Sequence, residues 1–271
     1  MRTSVAGILV SGLVIATAAC SVSTTGNSIT FKTQTKFTYP DETRTDTAAW
    51  TGQAIKIEND GVNPNVNGDL KVLSDGTDTV SATGGIVAYA DDTDKANADL
   101  TAQEAISSFT LTNDGTTITI HCGHGGDHGS SSAGKSGCLN LTVHLPVGSA
   151  TQALNVTVDS GIGPVDISGP IVGSLNVNST GVGDVNASLT PNVGSDNQIV
   201  GDSSVTVALP ADFAADVVQL ASQADPPAID SSAFPDVVSG SGRGQAGTGA
   251  ASIRVGTTSI LDNEFAKIVQ Q

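Results

Sequence analysis

Three of the four histidines fall within eight residues, in His121-Cys-Gly-His124-Gly-Gly-Asp127-His128. Imidazole and carboxylate at this density can ligate Zn²⁺, Cu²⁺ or Ni²⁺. Gly123, Gly125 and Gly126 between them favour a mobile loop tip, where the same side chains are simply solvated. The cluster His121, His124, Asp127 and His128 therefore supports an alternative reading, an envelope metal-binding protein. Otherwise no cofactor is expected. His144 falls on the polar face of a predicted strand and reads as exposed.

Cysteine chemistry is better defined. Residues 1–20 read MRTSVAGILVSGLVIATAAC. Arg2, an apolar run from Val5 to Ala16 and the small residues Thr17, Ala18 and Ala19 make a signal peptide over 1–19, too short to span a bilayer. Small residues ahead of Cys20 resemble a lipobox, so Cys20 is expected to be acylated and to become the new N-terminus. Ser21, rather than Asp, favours the outer membrane or cell surface. Ser21–Thr30 is Ser/Thr-rich and reads, with Cys20, as a flexible tether over 20–30.

The remaining pair, Cys122 and Cys138, is expected to form a disulfide in an exported protein, at the mouth of a hairpin. Closing a loop of this length is worth roughly 3 kcal/mol. Cys122 shares parity with Ile118 and Ile120, whereas Cys138 is out of step with Leu139 and Leu141. A bulge or strand end must correct this.

Several motifs imitate chemistry. Gly129 to Ser136 (GSSSAGKS) matches the phosphate-loop pattern in full, but that mechanism needs a following helix, and Gly137-Cys-Leu-Asn-Leu-Thr-Val reads as a strand. Gly201-Asp202-Ser203 resembles an esterase start, yet no His follows residue 144 to act as base. Asp91, Asp92, Asp94 and Asp99 lack the central Gly of a calcium loop. No catalytic residue is assigned and no enzyme is expected.

The formal net charge is −16, and four of the 27 acids are Glu. The rest are Asp, a turn residue. This acidity is turn chemistry and solubility, and it argues against nucleic acid as a partner, which requires a basic face. Nucleotide is likewise not expected. Aromatics make up 3% of the chain, with 31 Gly. A core of Val, Ile, Leu and Ala in thin layers points to stacked strands.

The elements that must position these residues are predominantly strands. Ile29, Phe31 and Phe37 alternate with polar residues. Ile55-Lys-Ile57 precedes Asn59-Asp60-Gly61. Phe109-Thr-Leu111 and Ile118-Thr-Ile120 flank the hairpin turn Asn113-Asp114-Gly115. Leu139, Leu141, Val143 and Leu145 alternate with Asn140, Thr142 and His144. Lys95–Ser108 reads as a helix, and Asn263–Gln271 as a terminal turn or two.

From Leu154 the pattern repeats. Gly161-Ile-Gly163-Pro-Val165 lines up with Gly181-Val-Gly183-Asp-Val185, about 20 residues on. Ser204–Ala208 and Ser252–Val255 follow. A period of this length suggests coils stacking side by side, with Gly and Asn at corners of positive φ.

These residues resemble the bacterial DUF4097 / head-GIN-like adhesin family. The likeness rests on Val156-Thr-Val158-Asp-Ser160-Gly161, Val177-Asn-Ser179-Thr-Gly181-Val-Gly183-Asp184-Val185, Val205-Thr-Val207-Ala-Leu209-Pro210 and Leu141-Thr-Val143-His-Leu145-Pro146-Val-Gly148. It covers roughly residues 50–258. The Cys122–Cys138 insertion and the 225–249 stretch depart from it. The resemblance implies a right-handed β-solenoid-like stack at the cell surface and no enzyme.

The expected architecture is thus all-β: single-stranded parallel coils in a solenoid-like domain over 31–262, an antiparallel hairpin region towards its N-terminus, and a short tail over 263–271. The expected role is a non-enzymatic envelope or surface lipoprotein, binding or structural. Its expected contacts are the membrane, through the lipid, and a surface protein or glycan.

Overall fold

The computed structural model describes residues 20–25, 28–59, 69–76, 78–91, 95–123, 135–161, 163–169, 171–181, 183–192, 194–210, 215–219, 243–246, 251–257 and 266–270. The strands are β1 (Cys20–Thr25), β2 (Ser28–Ala49), β3 (Ala54–Asn59), β4 (Leu70–Ser74), β5 (Thr79–Asp91), β6 (Thr110–Asn113), β7 (Thr117–Cys122), β8 (Lys135–Leu145), β9 (Leu154–Ser160) and β10 (Val165–Ser168). They continue with β11 (Val172–Ser179), β12 (Val185–Ser188), β13 (Thr190–Pro191), β14 (Asp196–Gly201), β15 (Val205–Leu209), β16 (Ala215–Gln219), β17 (Arg243–Ala246), β18 (Ser252–Thr257) and β19 (Ala266–Gln270). The helix expected over Lys95–Ser108 is present as α1.

The strands form two large mixed sheets. The nine-stranded sheet has the order β1-β2-β5-β8-β4-β10-β12-β15-β19, and the ten-stranded sheet β17-β16-β18-β14-β11-β9-β3-β7-β6, with β13 beside β11. The chain crosses repeatedly from one to the other. Strands β9, β11, β14 and β18 stand in the ten-stranded sheet, and their successors β10, β12, β15 and β19 in the nine-stranded one. Neighbours in this block are parallel: Val165 pairs Val185, which pairs Val205, and Val158 pairs Val177. The twenty-residue alignment read from sequence is thus a physical register at Val165 and Val185.

Antiparallel pairing is present towards the N-terminus, as expected, and also further along the chain. It comprises β1, β2, β5 and the β5–β8 join, together with the β6–β7 and β16–β17 ribbons. Strands β3 and β4 belong to the parallel block, between β7/β8 and β9/β10. Period-2 alternation is the same for either pairing direction, so the sequence pattern does not separate the two. Residues 20–30, expected as a tether, contain β1 and the start of β2. Residues 266–270, expected as a terminal turn, form β19 on β15, because Ala266 and Ile268 alternate into the core.

One apolar cluster fills the space between the sheets. Ile55, Ile57, Ile118, Ile120, Val156 and Leu175 face it from one side, and Leu70, Val72, Leu141, Val165, Val185 and Val205 from the other. Each of these is essentially removed from water. The layer is thin enough for β-branched and Leu side chains to fill, and the few partly buried aromatics, Trp50 and Phe109, pack at its margin.

Corners need glycine. Gly163 (φ 35°) and Gly183 (φ 153°) occupy successive corners, and a Cβ on Gly183 would lie 2.5 Å from Pro164 N. One corner therefore rests against the backbone of the next, which only glycine permits. Where the short β13 gives way to β14, the interrupted ladder is closed by a side chain. Asn197, fully buried, accepts from Leu175 N–H at 2.8 Å and donates to Ser252 O at 3.0 Å.

Candidate functional site

Alternation along each strand sends one set of residues inward and the other to solvent. In the parallel block of the nine-stranded sheet, strict register converts the outward set into rows. One row runs Thr142, Lys71, Asp166, Asn186, Thr206, Lys267, each the direct partner of the next. Successive members are about 4.8 Å apart, the strand spacing. Asn186 Nδ2 donates to Asp166 Oδ1 at 3.1 Å. Two residues further along the strands the side chains become small, with Ser168, Ser188 and Ala208. The step from long to short side chains leaves a trough of about 410 Å³, within the size range of small-ligand sites.

The outward face of the ten-stranded sheet is also polar, but its groups are more engaged with one another. Ser174 Oγ donates to Asn155 Oδ1 at 2.8 Å. Asn176 Oδ1 accepts from Gln198 N–H at 3.1 Å. Asp196 accepts from the Ser252 hydroxyl, and from Arg254 at 2.5 Å. The Ser252 hydrogen bond, then the Arg254 interactions, hold the Asp196 carboxyl below its ordinary value. Inside, at the end of this sheet, Cys122, Asn59, Ser160 and Ser179 follow one another across neighbouring strands, all buried.

The residues singled out from sequence fall as follows. His121 sits near the end of β7, opposite Glu58 on β3. His124, Asp127 and His128 lie outside the described residues. His144 is on the outward face of β8, as expected, and its Nδ1 is 2.5 Å from Asp75 Oδ2. Among the described residues no group of three or more His, Cys, Asp or Glu is arranged to hold a metal. Strand β8 begins at Lys135, where a phosphate loop would need a helix. Ser203 is buried. Asp92 and Asp94 lie outside the described residues.

The expected cysteine hairpin is not formed. Strand β7 pairs with β3 and β6, whereas β8 pairs with β4 and β5 in the other sheet. Two strands of matching alternation can pair with each other or stack across a core, and here they stack. Cys122 is fully buried. The bulge demanded by the parity of Cys138 is present: the β5–β8 register shifts between Thr83 and Gly85, and Cys138 pairs with Ile86 as Val143 pairs with Ala82. The side chain of Cys138 is outside the described residues.

No protein-family model and no curated protein matches the chain. Two solved structures are similar to it. One is a candidate cell adhesion protein from Clostridium sporogenes, 12% identical, TM-score 0.48, aligned over 84% of this chain and all of that one. The other is a candidate adhesin from Bacteroides fragilis, 10% identical, TM-score 0.21, over 84% of this chain and 97% of that one.

Sequence reading missed the row through Lys71, Asp166, Asn186 and Thr206. The information was there in part. Once Gly161–Val165 is laid on Gly181–Val185, the next residues, Asp166 and Asn186, must also be neighbours. The position of Lys71 beside Asp166 was not readable, because β4 precedes β10 by some ninety residues and is inserted between coils by tertiary packing.

Proposed function

We propose that the protein is a non-enzymatic envelope lipoprotein of the DUF4097 / head-GIN-like adhesin type, a contact module built as a stack of β-solenoid-like coils. The observation that carries this reading is the in-register row Lys71, Asp166, Asn186, Thr206 and Lys267 across five parallel strands. A sheet face whose inner strands β4, β10, β12 and β15 are each paired on both sides, and whose side chains repeat at a fixed spacing, suits contact with an extended surface. The lipobox-like Thr17-Ala-Ala-Cys20 supports export and acylation of Cys20, which would hold the module at the outer membrane or cell surface.

A disulfide between Cys122 and Cys138 belongs to the same reading. Because their strands lie in opposite sheets, the bond would staple the two sheets together.

The test is adherence of cells carrying the protein to host or abiotic surfaces. Asp166→Ala/Asn186→Ala/Thr206→Val should lower adherence while surface abundance stays constant. Unchanged adherence at equal abundance would refute the contact role of this face. Metabolic labelling with palmitate should mark the wild type and not Cys20→Ser, and labelling of both would refute the anchor.

A further inference from the structure

We infer that the trough beside Asp166 and Asn186 is a binding site for a neutral oligosaccharide, an inference that rests on the contact role proposed above for this face.

The shape comes first. The trough crosses β4, β10, β12 and β15 at right angles to the strands, over the short side chains Ser168, Ser188 and Ala208. Four strands at about 4.8 Å spacing give it a length of roughly 14 Å. A linear chain of a few rings can lie along it.

The chemistry comes next. A sugar ring offers pairs of adjacent hydroxyls, each both donor and acceptor, and a C–H face that is apolar. The wall supplies both halves of the complement for hydroxyls. Asp166 is an acceptor, and Asn186 carries donor and acceptor on one amide. Their mutual hydrogen bond at 3.1 Å ties the two side chains together and still leaves Asp166 Oδ2 and Asn186 Oδ1 to accept. Leu73 and Ala208 give apolar surface for the C–H face.

Charge and backbone narrow the class. Among the described residues Lys71 is the one cation lining the trough, and its direct partner in the register is Asp166, while the chain as a whole carries −16. The trough therefore offers a phosphorylated, sulfated or uronic ligand no excess of positive charge, and the overall charge of the chain opposes its approach. An extended peptide is recognised through unpaired strand edges, and these inner strands β4, β10, β12 and β15 each have a neighbour on both sides. A neutral saccharide is the ligand left that uses side chains alone.

The experiment is titration of the full mature chain in detergent with maltohexaose, cellohexaose and chitohexaose, with a hyaluronan hexamer as the anionic probe. Binding of at least one neutral hexamer is expected, weaker by about tenfold in Asp166→Ala, as for loss of a charged hydrogen-bonding partner, and lost in Ser188→Trp, which fills the trough. Circular dichroism should show both variants folded, and Asn186→Ala serves if either is not. No binding of any neutral hexamer, equal binding by folded trough variants, or preference for hyaluronan would overturn the inference. If cell adherence still falls in the Asp166/Asn186/Thr206 variant, the contact role survives and the saccharide assignment alone fails. If adherence is unchanged as well, both fail.

Discussion

Asn186 Nδ2 donates to Asp166 Oδ1 at 3.1 Å although the two residues are twenty positions apart. On the opposite sheet Ser174 donates to Asn155 at 2.8 Å, across nineteen positions. In both cases the chain has passed once through each sheet and returned one strand further along. This return is what turns a weak sequence repeat into rows of like-placed side chains, and hence into a face that can make repeated contact.

The corner glycines limit which substitutions the repeat tolerates. Gly115 (φ 91°) and Gly183 (φ 153°) both adopt positive φ, but a Cβ on Gly115 meets nothing within 4 Å, whereas on Gly183 it meets Pro164 N at 2.5 Å. Gly115→Ala should cost about 1 kcal/mol from backbone conformation alone. Gly183→Ala should cost more, roughly 3 kcal/mol, since backbone must also move. Urea midpoints at constant slope measure both, and equal losses would contradict the account.

Asn197 is fully buried and accepts from Leu175 N–H. Asn197→Ala leaves the Leu175 N–H without its partner and removes a side-chain donor to Ser252 O. A loss of about 1–3 kcal/mol is expected. Amide exchange at Leu175 should accelerate in the same variant, and an unchanged rate would show that the side chain does not close the ladder.

The fold was legible where a pattern is local. The Asn113-Asp114-Gly115 hairpin and the helix over Lys95–Ser108 were both readable, the first because Asp114 Oδ1 accepts from Thr116 and Thr117 N–H at 2.8 and 2.7 Å. The corner alignment of Val165 with Val185 was readable because the glycines repeat. Sheet membership was not. Strands β7 and β8 alternate like hairpin partners and yet face each other across the core, since the apolar side chains of each are satisfied either way. The site suffered similarly. The histidine cluster drew attention by residue type, while Asp166 and Asn186 look like ordinary turn-rich composition until register brings them together.

The hairpin also predicts a pH response. The Thr116 hydroxyl, then the Thr117 and Thr116 N–H groups, hold the Asp114 carboxyl below its ordinary value of 3.8. A carboxyl lowered in the folded state contributes stability above its unfolded value, and that contribution is lost as pH falls through the folded one. The hairpin should therefore persist in mild acid and weaken only below the ordinary carboxylate range. Carbon-detected NMR titration should give Asp114 a midpoint under 3.8, moving upward in Thr116→Val. A midpoint at or above the ordinary value would contradict this.

The proposed Cys122–Cys138 bond should make both thiols refractory to alkylation until reduced. Cys122→Ser/Cys138→Ser should lose roughly 3 kcal/mol of stability. Ready alkylation of the unreduced, unfolded chain would rule the bond out.

The stacking register itself is tested by a cysteine pair at Asp166 and Asn186. Parallel neighbours at about 4.8 Å fall within the Cα separation that a disulfide accepts. Mild oxidation of Asp166→Cys/Asn186→Cys should give an intrachain cross-link in the folded protein, and Asn155→Cys/Asn186→Cys, on opposite sheets, should not. No cross-link in the first pair, or equal cross-linking in both, would contradict the stacked arrangement on which the shared face depends.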